Sequence, residues 1–165
     1  MSQGKGIGGH HRAYKGNSDD WITPKYILDA LGPFDLDPCV CTPQPWDTAA
    51  RSYAREDDGL SQEWFGTVWM NPPYGPQTTK WLERLAQHSN GIALIFARTE
   101  TQMFFDHVWN KSQSLLFLKG RVYFHYPDGT RASHNSGGPS VLVAYGEQCS
   151  SRLSGCGLEG AFVEL

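Results

Sequence analysis

The sequence lacks several features that would place it in other classes of protein. No apolar run approaches the roughly 18 residues that a membrane-spanning helix needs, and no signal-peptide pattern opens the chain. A glycine-rich phosphate-binding loop is absent, which argues against triphosphates and pyrophosphates as ligands. A basic excess is also missing: the formal net charge is -3, so any nucleic-acid binding must depend on a local patch. We therefore expect a cytoplasmic protein with no membrane segment.

Cysteines are few, and their spacing does not suit a metal site. The four are Cys39, Cys41, Cys149 and Cys156. Neither the Cys-x-Cys pair nor the distant pair has the usual spacing of zinc ligands, so we expect no metal and free thiols in a reducing compartment. The 165 residues are 39% hydrophobic and include six tryptophans, which is enough for one domain with a buried core.

Apolar periodicity predicts an α/β protein. Runs typical of strands lie at residues 34–37, 51–54, 68–70, 92–96, 114–118 and 140–145. Segments with helical spacing follow several of these runs, and this alternation predicts a three-layer fold with a mostly parallel central sheet. We expect a flexible amino-terminal arm over residues 1–17 and a folded domain over 18–146. The segment 147–165, rich in Gly and Ser, gives no clear pattern.

The stretch Asn71-Pro72-Pro73-Tyr74-Gly75 directly follows the apolar residues 68–70. Two consecutive prolines exclude both a strand ladder and a helix interior, so this stretch predicts a stiff turn just past a strand's carboxyl end. Ligands bind at that edge of open α/β sheets. The Asn71 side-chain oxygen and the Pro72 carbonyl are two acceptors that suit an amino group with two hydrogens, and Tyr74 offers a flat face for stacking. A plain Pro-Pro turn with a buried tyrosine is the alternative.

Carboxylates and an aromatic residue mark a possible cofactor site. Asp37 ends a predicted strand, where its carboxylate could face an ammonium group. Asp57 and Asp58 follow the second predicted strand, where α/β folds often hold a ribose hydroxyl or an adenine amine; a solvated acidic loop is an equal alternative. Trp21 and Thr23 lie beside the start of a predicted helix, with Thr23 as its N-cap. They suit the amino-acid end of a cofactor, or only a capped helix with a core tryptophan.

Other residues suggest a contact with nucleic acid. Residues 125–138 form a long polar loop, and loops of more than about 12 residues in a compact domain are often functional. Arg121 and Arg131 lie in or next to this loop and are candidate phosphate contacts. Phe105 could line a pocket for a base, although two adjacent aromatics usually divide between core and surface.

Taken together, these motifs resemble the phage-type DNA N6-adenine methyltransferase family, a Dam-like group. The resemblance spans roughly residues 18–145. Its pieces, in chain order, are Asp19-Asp20-Trp21-Ile22-Thr23-Pro24, Leu36-Asp37-Pro38-Cys39, Asp57-Asp58-Gly59-Leu60 with Trp64, Trp69-Met70-Asn71-Pro72-Pro73-Tyr74-Gly75, Lys80-Trp81, Ala97-Arg98 with Phe105, and Lys119-Gly120-Arg121-Val122-Tyr123-Phe124.

The resemblance implies a Rossmann-like methyltransferase domain over 18–146, S-adenosylmethionine as methyl donor and adenine in DNA as acceptor, in a phage or prophage protein of a bacterial cell. It assigns roles to residues that share the family's motifs. Asn71, Pro72 and Tyr74 would bind and polarise the target adenine. For the cofactor, Asp37 would hold the methionine moiety, Asp57 or Asp58 (we favour Asp58) would contact the adenosine, and Trp21 and Thr23 would border it.

The sequence departs from many adenine methyltransferases at two points. Asn71 stands where Asp is commoner in DNA enzymes, which leaves RNA adenine or a protein glutamine open as acceptor. Asp37-Pro38-Cys39 replaces the glycine-rich loop after the first strand, which weakens the assignment of the cofactor residues. A non-catalytic nucleic-acid-binding protein on a methyltransferase scaffold is a third hypothesis.

Overall fold

The computed structural model describes residues 20–165. The predicted arm at 1–17 lies outside these residues. The strands are β1 (Leu36–Asp37), β2 (Arg51–Ser52), β3 (Val68–Met70), β4 (Gly91–Phe96), β5 (Ser114–Leu118), β6 (Ser140–Tyr145) and β7 (Gly160–Glu164). The helices are α1 (Lys25–Leu31), α2 (Thr78–His88), α3 (Gln102–Phe104), which continues as a π-helical turn (Phe105–Trp109), and α4 (Glu147–Gly155). Two 3-10 turns (Arg55–Asp57 and Gly59–Ser61) follow β2. Within this range, no helix has the length and apolar character needed to cross a membrane.

The strands of the described chain form one seven-stranded sheet in the order β2-β1-β3-β4-β6-β5-β7. The α/β class is confirmed, but the expectation of a mostly parallel sheet is not. The pairings β2-β1, β1-β3 and β3-β4 are parallel, whereas β4-β6, β6-β5 and β5-β7 are antiparallel and have the longer ladders. The sequence-based expectation was wrong here because a fully buried apolar strand has the same pattern in either orientation.

Helices pack on both faces of the sheet, as the predicted three layers require. Alternate residues of β4 divide between the two faces, since side chains of a strand alternate. Ala93 and Ile95 join the core formed with α2 and the α3 segment. Ile92 and Leu94 join the core formed with α1 and α4. The central strands β3 and β4 are buried on both faces, so they provide a rigid base for the turns that follow them.

The carboxyl-terminal segment, for which the sequence gives no clear pattern, belongs to the same sheet. Helix α4 packs Cys149 and Leu153 into the core, and β7 pairs along the edge of β5. Strand β7 is exposed throughout. Its structure therefore depends on the β5 ladder rather than on apolar periodicity, which is why sequence patterns do not reveal it.

The four parallel strands β2, β1, β3 and β4 direct their carboxyl ends to one edge of the sheet. The residues that follow them are the turn at 53–58, the loop at 38–41, the stretch at 71–75 and the segment at 97–98. Residues far apart in the sequence are thereby brought together where α/β proteins bind ligands.

Gly66 lies in the turn that precedes β3, and substituting it tests what holds this turn. Its φ is +62°, and an added Cβ would lie 2.3 Å from Asp35 Oδ2, which accepts a 2.7 Å hydrogen bond from the Thr67 backbone N–H. Gly120 also has a positive φ, +73°, with open space around it. We expect Gly120→Ala to cost about 1 kcal/mol of unfolding free energy, from the left-handed backbone alone. Gly66→Ala should cost about 1 kcal/mol more, because it also breaks a hydrogen bond. Urea unfolding measures both, and equal losses would contradict the role of the Asp35 contact.

Candidate active site

The Asn-Pro-Pro-Tyr turn is tied to its surroundings at both ends. The Cys39 thiol donates to the Asn71 backbone carbonyl at 3.6 Å, which joins the turn to the loop after β1. The Thr78 hydroxyl donates to the Pro73 carbonyl at 2.6 Å, which joins it to α2. The Pro72 carbonyl accepts no hydrogen bond from any described residue. A chain with two prolines is stiff by itself, and these contacts fix where the turn lies.

The side-chain amide of Asn71 has a defined orientation. Its Nδ2 donates to the Trp21 backbone carbonyl at 3.1 Å and to the Thr23 hydroxyl at 3.3 Å. Its Oδ1 is buried and has no hydrogen-bond donor among residues 20–165. A buried acceptor without a donor costs about 1–3 kcal/mol, so a ligand that donates a hydrogen bond here would gain in affinity.

Asn71 lies in the wall of a cavity of about 540 Å³ at the carboxyl edge of the sheet. Residues from the four segments 20–21, 38–41, 54–60 and 71–77 surround it, and Trp81 of α2 completes the wall. The volume suits a small-molecule ligand or cofactor. Trp81 Nε1 is a second buried polar atom without a partner among the described residues, so two residues that line the cavity carry an unsatisfied donor and an unsatisfied acceptor.

The two aspartates after β2 differ in position. Asp58 lines the large cavity and has a left-handed backbone, with φ 50° and ψ 72°, a conformation that is uncommon outside glycine. Asp57 does not line it; its carboxylate accepts a 2.8 Å hydrogen bond from the Ala54 backbone N–H. Asp58 thus lines the cavity, whereas the Asp57 carboxylate stabilises the turn.

Asp37 is buried behind the large cavity. Its Oδ1 accepts from the Cys39 backbone N–H at 3.0 Å, and its Oδ2 accepts from the Thr48 hydroxyl at 2.6 Å. It lines a cavity of about 20 Å³, room for about one water, which shares Cys39 and Asn71 with the larger one. Burial raises the pKa of Asp37 to about 6, although both hydrogen bonds favour the charged form.

Trp21 and Thr23 have a role that the sequence did not reveal. Trp21 lines both cavities, and its carbonyl is an acceptor for Asn71. Thr23 lines only the small one. The prediction that Thr23 caps α1 is wrong. Pro24 occupies the N-cap position, and α1 has no side-chain capping hydrogen bond. The Thr23 hydroxyl instead accepts from Asn71.

Tyr74 lies between the large cavity and a second cavity of about 380 Å³. Its ring stacks on Phe96, with centroids 4.6 Å apart. The second cavity is lined by Phe96, Arg98 and Met103, and by the Ser136-Gly137-Gly138 end of the long polar loop. Burial raises the pKa of the Tyr74 phenol well above its ordinary value, which keeps the hydroxyl protonated.

The predicted substrate contacts lie farther out. Phe105 is 50% exposed and lines neither the cavity of about 540 Å³ nor the cavity of about 380 Å³, whereas its neighbour Phe104 is in the core. Arg121 and Arg131 are exposed. The Arg131 guanidinium lies 4.0 Å from the centroid of the Tyr123 ring. Neither arginine forms an ion pair with a described carboxylate, so both charges are available at the surface.

Comparison with known families identifies the family of this chain. The family model described as DNA N-6-adenine-methyltransferase (Dam) matches residues 11–154. The chain belongs to this family. The predicted resemblance is therefore confirmed. Neither the comparison with curated proteins nor the one with solved structures gave a match.

Some residues lining the cavities of this Dam-family chain were not predicted as site residues. Arg55 and Trp81 line the large cavity, and Phe96 and Arg98 line the second. Phe96 and Arg98 lie at the end of β4, next to β3 in the sheet. The rule that ligands bind at the carboxyl ends of neighbouring parallel strands could have identified them. Trp81 belongs to the Lys80-Trp81 piece of the resemblance, but its spacing is that of any buried helix residue, so it was not predicted as a site residue.

The raised pKa of Asp37 predicts how stability depends on pH. An unfolded chain releases this proton near pH 4, whereas the folded chain holds it to about pH 6. Between these values the folded state binds more protons, so its stability falls as pH rises, by up to about 3 kcal/mol. The loss should be seen in denaturant unfolding of the wild type between about pH 4 and 6, and should disappear in Asp37→Asn. The exposed Asp29→Asn should keep the wild-type slope. Parallel profiles for wild type and Asp37→Asn would contradict the shift.

Proposed function

We propose that this chain is a DNA N6-adenine methyltransferase that transfers a methyl group from S-adenosylmethionine to the exocyclic amine of a flipped adenine. Membership of the family supports the reaction class. The observation that carries the proposal is the Asn71 amide: both of its N–H groups are bonded to the protein, its oxygen is a buried acceptor without a described donor, and the residue lines a cofactor-sized cavity. An amine donor is the ligand that this arrangement favours.

The large cavity suits the proposed cofactor. Asp20 and Asp58 would accept from ammonium or ribose hydroxyl groups, and Arg55 would pair with the carboxylate of the methionine moiety. Trp21 and Trp81 give the wall apolar surface for the adenosine. Asp37 remains the proposed partner of the ammonium group, within reach only if the small cavity opens into the large one. When bound, S-adenosylmethionine would supply a methyl group on a sulfonium, which is already a good leaving group. The parallel strands that end at this cavity support a Rossmann-like description of this half of the sheet.

Asn71 and Pro72 would bind the adenine amine. Asn71 Oδ1 and the Pro72 carbonyl would each accept one N–H of the amine, which leaves the nitrogen lone pair directed toward the methyl group. As positive charge develops on nitrogen, the two acceptors stabilise it without reorganisation. Oδ1 is buried, so the wall must open slightly before the amine can reach it.

Tyr74 would hold the ring of the base. Flipping a base from the duplex costs a few kcal/mol, which stacking in the pocket offsets. A base inserted between the Tyr74 and Phe96 rings would need ring centroids about 7 Å apart, which is twice the usual contact distance. The two centroids are only 4.6 Å apart. We therefore assign Phe96 the task of supporting the Tyr74 ring rather than of sandwiching the base.

The DNA backbone would be held by local charge. Arg121 and Arg131 are exposed cations near the long polar loop, and they would contact phosphates, with Phe105 near the base. Because the chain carries a net charge of -3, the attraction would be limited to this patch, and binding should weaken with salt.

The cysteines have no covalent role in the proposed reaction. Burial and the nearby Asp37 and Cys41 raise the pKa of the Cys39 thiol well above its usual value. Burial, together with Asp20 and Asp37, raises that of Cys41 to about 12. Both thiols are protonated at neutral pH, and a thiol is a poor nucleophile in that form.

Asn71→Ala tests the proposed role of the amide. We expect the loss of its acceptor to reduce turnover by about 100-fold or more, as for the removal of one preorganised group at a reacting centre. Binding of S-adenosylmethionine, measured by calorimetry, should change little. Transfer of labelled methyl groups to adenine-containing DNA measures the reaction.

Asn90→Ala is the matched control. Asn90 precedes β4 at the opposite edge of the sheet, where Nδ2 donates to the Gly66 carbonyl at 3.0 Å and Oδ1 accepts from Cys149. Its loss should reduce stability and leave turnover intact. Full activity of Asn71→Ala, or equal losses in the two variants, would refute the role of Asn71.

Side-by-side assays with DNA, RNA and protein separate the alternative acceptors, since RNA adenine and protein glutamine also present an amine with two hydrogens. Methylation of DNA alone supports the proposal, and preferred methylation of RNA or glutamine would replace it. A chain that binds DNA but not S-adenosylmethionine would be a non-catalytic protein on this scaffold.

Sequencing that detects modified adenine in expressing cells would identify the recognition site.

A further inference from the structure

Two acceptors on the segment before α1 hold the amide of Asn71. They are the Trp21 carbonyl, at 3.1 Å from Nδ2, and the Thr23 hydroxyl, at 3.3 Å. We propose that Thr23 is a positioning residue: with the Trp21 carbonyl, its hydroxyl fixes the Asn71 amide so that Oδ1, and not Nδ2, faces the substrate amine. This inference rests on the proposed function and gives Thr23, which does not line the large cavity, a role toward Asn71 in place of the cofactor contact that the resemblance implies.

Chemistry decides which end of the amide faces inward. A backbone carbonyl can only accept a hydrogen bond, so the Trp21 oxygen requires Nδ2 on its side. Turning the amide over would bring two acceptor oxygens together. The amide nitrogen has a second N–H, which the Thr23 hydroxyl occupies. Both N–H groups are therefore engaged within the protein.

The orientation matters for the reaction because a methyl acceptor needs its nitrogen lone pair. An N–H of Nδ2 directed at the substrate amine would donate to that lone pair and compete with the methyl group. An oxygen in the same place accepts an N–H from the amine and stabilises the charge that develops on nitrogen. Holding the second N–H on Thr23 thus removes a competing donor from the site.

The backbone that presents the Thr23 hydroxyl is held from two sides. The Thr23 carbonyl accepts a 3.0 Å hydrogen bond from Trp46 Nε1. The preceding residue, Ile22, forms two backbone hydrogen bonds of 3.0 Å with His125 of the long polar loop. Thr23 is only 3% exposed, and its side chain does not cap α1. Helix capping therefore does not explain a buried hydroxyl at this position.

Thr23→Val removes the hydroxyl and keeps the shape of the side chain, whereas Thr23→Ser keeps the hydroxyl. We expect Thr23→Val to lower kcat by roughly 10- to 100-fold, since small errors in the placement of a reacting group have effects of this size. The Kd for S-adenosylmethionine and the KM for DNA should stay within about 2-fold of the wild-type values. Thr23→Ser should restore kcat to within about 3-fold of the wild type.

Thr67→Val is the matched control, because Thr67 is also buried, at 7% exposed, just before β3 at the other end of that strand. It should leave kcat unchanged. If Thr23→Val keeps the wild-type kcat, or if Thr23→Ser loses as much as Thr23→Val, the positioning role is overturned in favour of simple packing.

A second measurement does not depend on turnover. In nitrogen-15 spectra, the side-chain amide protons of Asn71, assigned through their absence in Asn71→Ala, should shift in Thr23→Val and not in Thr67→Val. Unchanged Asn71 resonances in Thr23→Val would overturn this inference and leave the proposed function standing. A wild type with no activity on DNA, RNA or protein would overturn the proposed function, and a shift of these resonances would then show the contact without a catalytic use.

Discussion

The amide of Asn71, held between Trp21 and Thr23, is the interaction on which the rest of the site depends. Its two hydrogen bonds connect three parts of the fold: the segment before α1, the turn after β3 and, through Ile22 and His125, the long polar loop. Strand β3 anchors the turn that carries this amide, because the strand is fully buried between two parallel neighbours. The same bonds leave one acceptor oxygen without a partner in the described chain. In the proposed function, this energetic cost within the protein would become a source of affinity for a donor.

Electrostatics in this chain is local rather than global. A net charge of -3 gives no general attraction for nucleic acid, but the exposed Arg121 and Arg131 have no described acidic partner. Inside, burial keeps Cys39 and Cys41 protonated and raises the pKa of Asp37 to about 6. In the proposed methyl transfer, the groups at the reacting amine would be the neutral Asn71 amide and the Pro72 carbonyl, since a good leaving group needs no thiolate nucleophile.

The two halves of the sheet serve different purposes. The parallel half, β2-β1-β3-β4, directs its carboxyl ends to the cavities. The antiparallel half, β6-β5-β7, extends the core and anchors the carboxyl-terminal segment. The two halves meet at β4, which pairs parallel with β3 and antiparallel with β6. Phe96 and Arg98 at its end line the second cavity together with Tyr74 and the long polar loop.

The sequence by itself determined the α/β class, the turn at Asn71 and the family, because proline geometry and local motifs act over a few residues. It could not determine strand orientation, since a buried apolar run looks the same in either direction, nor the β7 strand, whose partner lies more than 40 residues away. Only the tertiary structure decided that Asp58 rather than Asp57 faces the cavity, that Asp37 lies behind it, and that Thr23 bonds to Asn71 instead of capping a helix. Each of these depends on contacts between distant segments, where small differences in backbone direction decide which polar group a side chain meets.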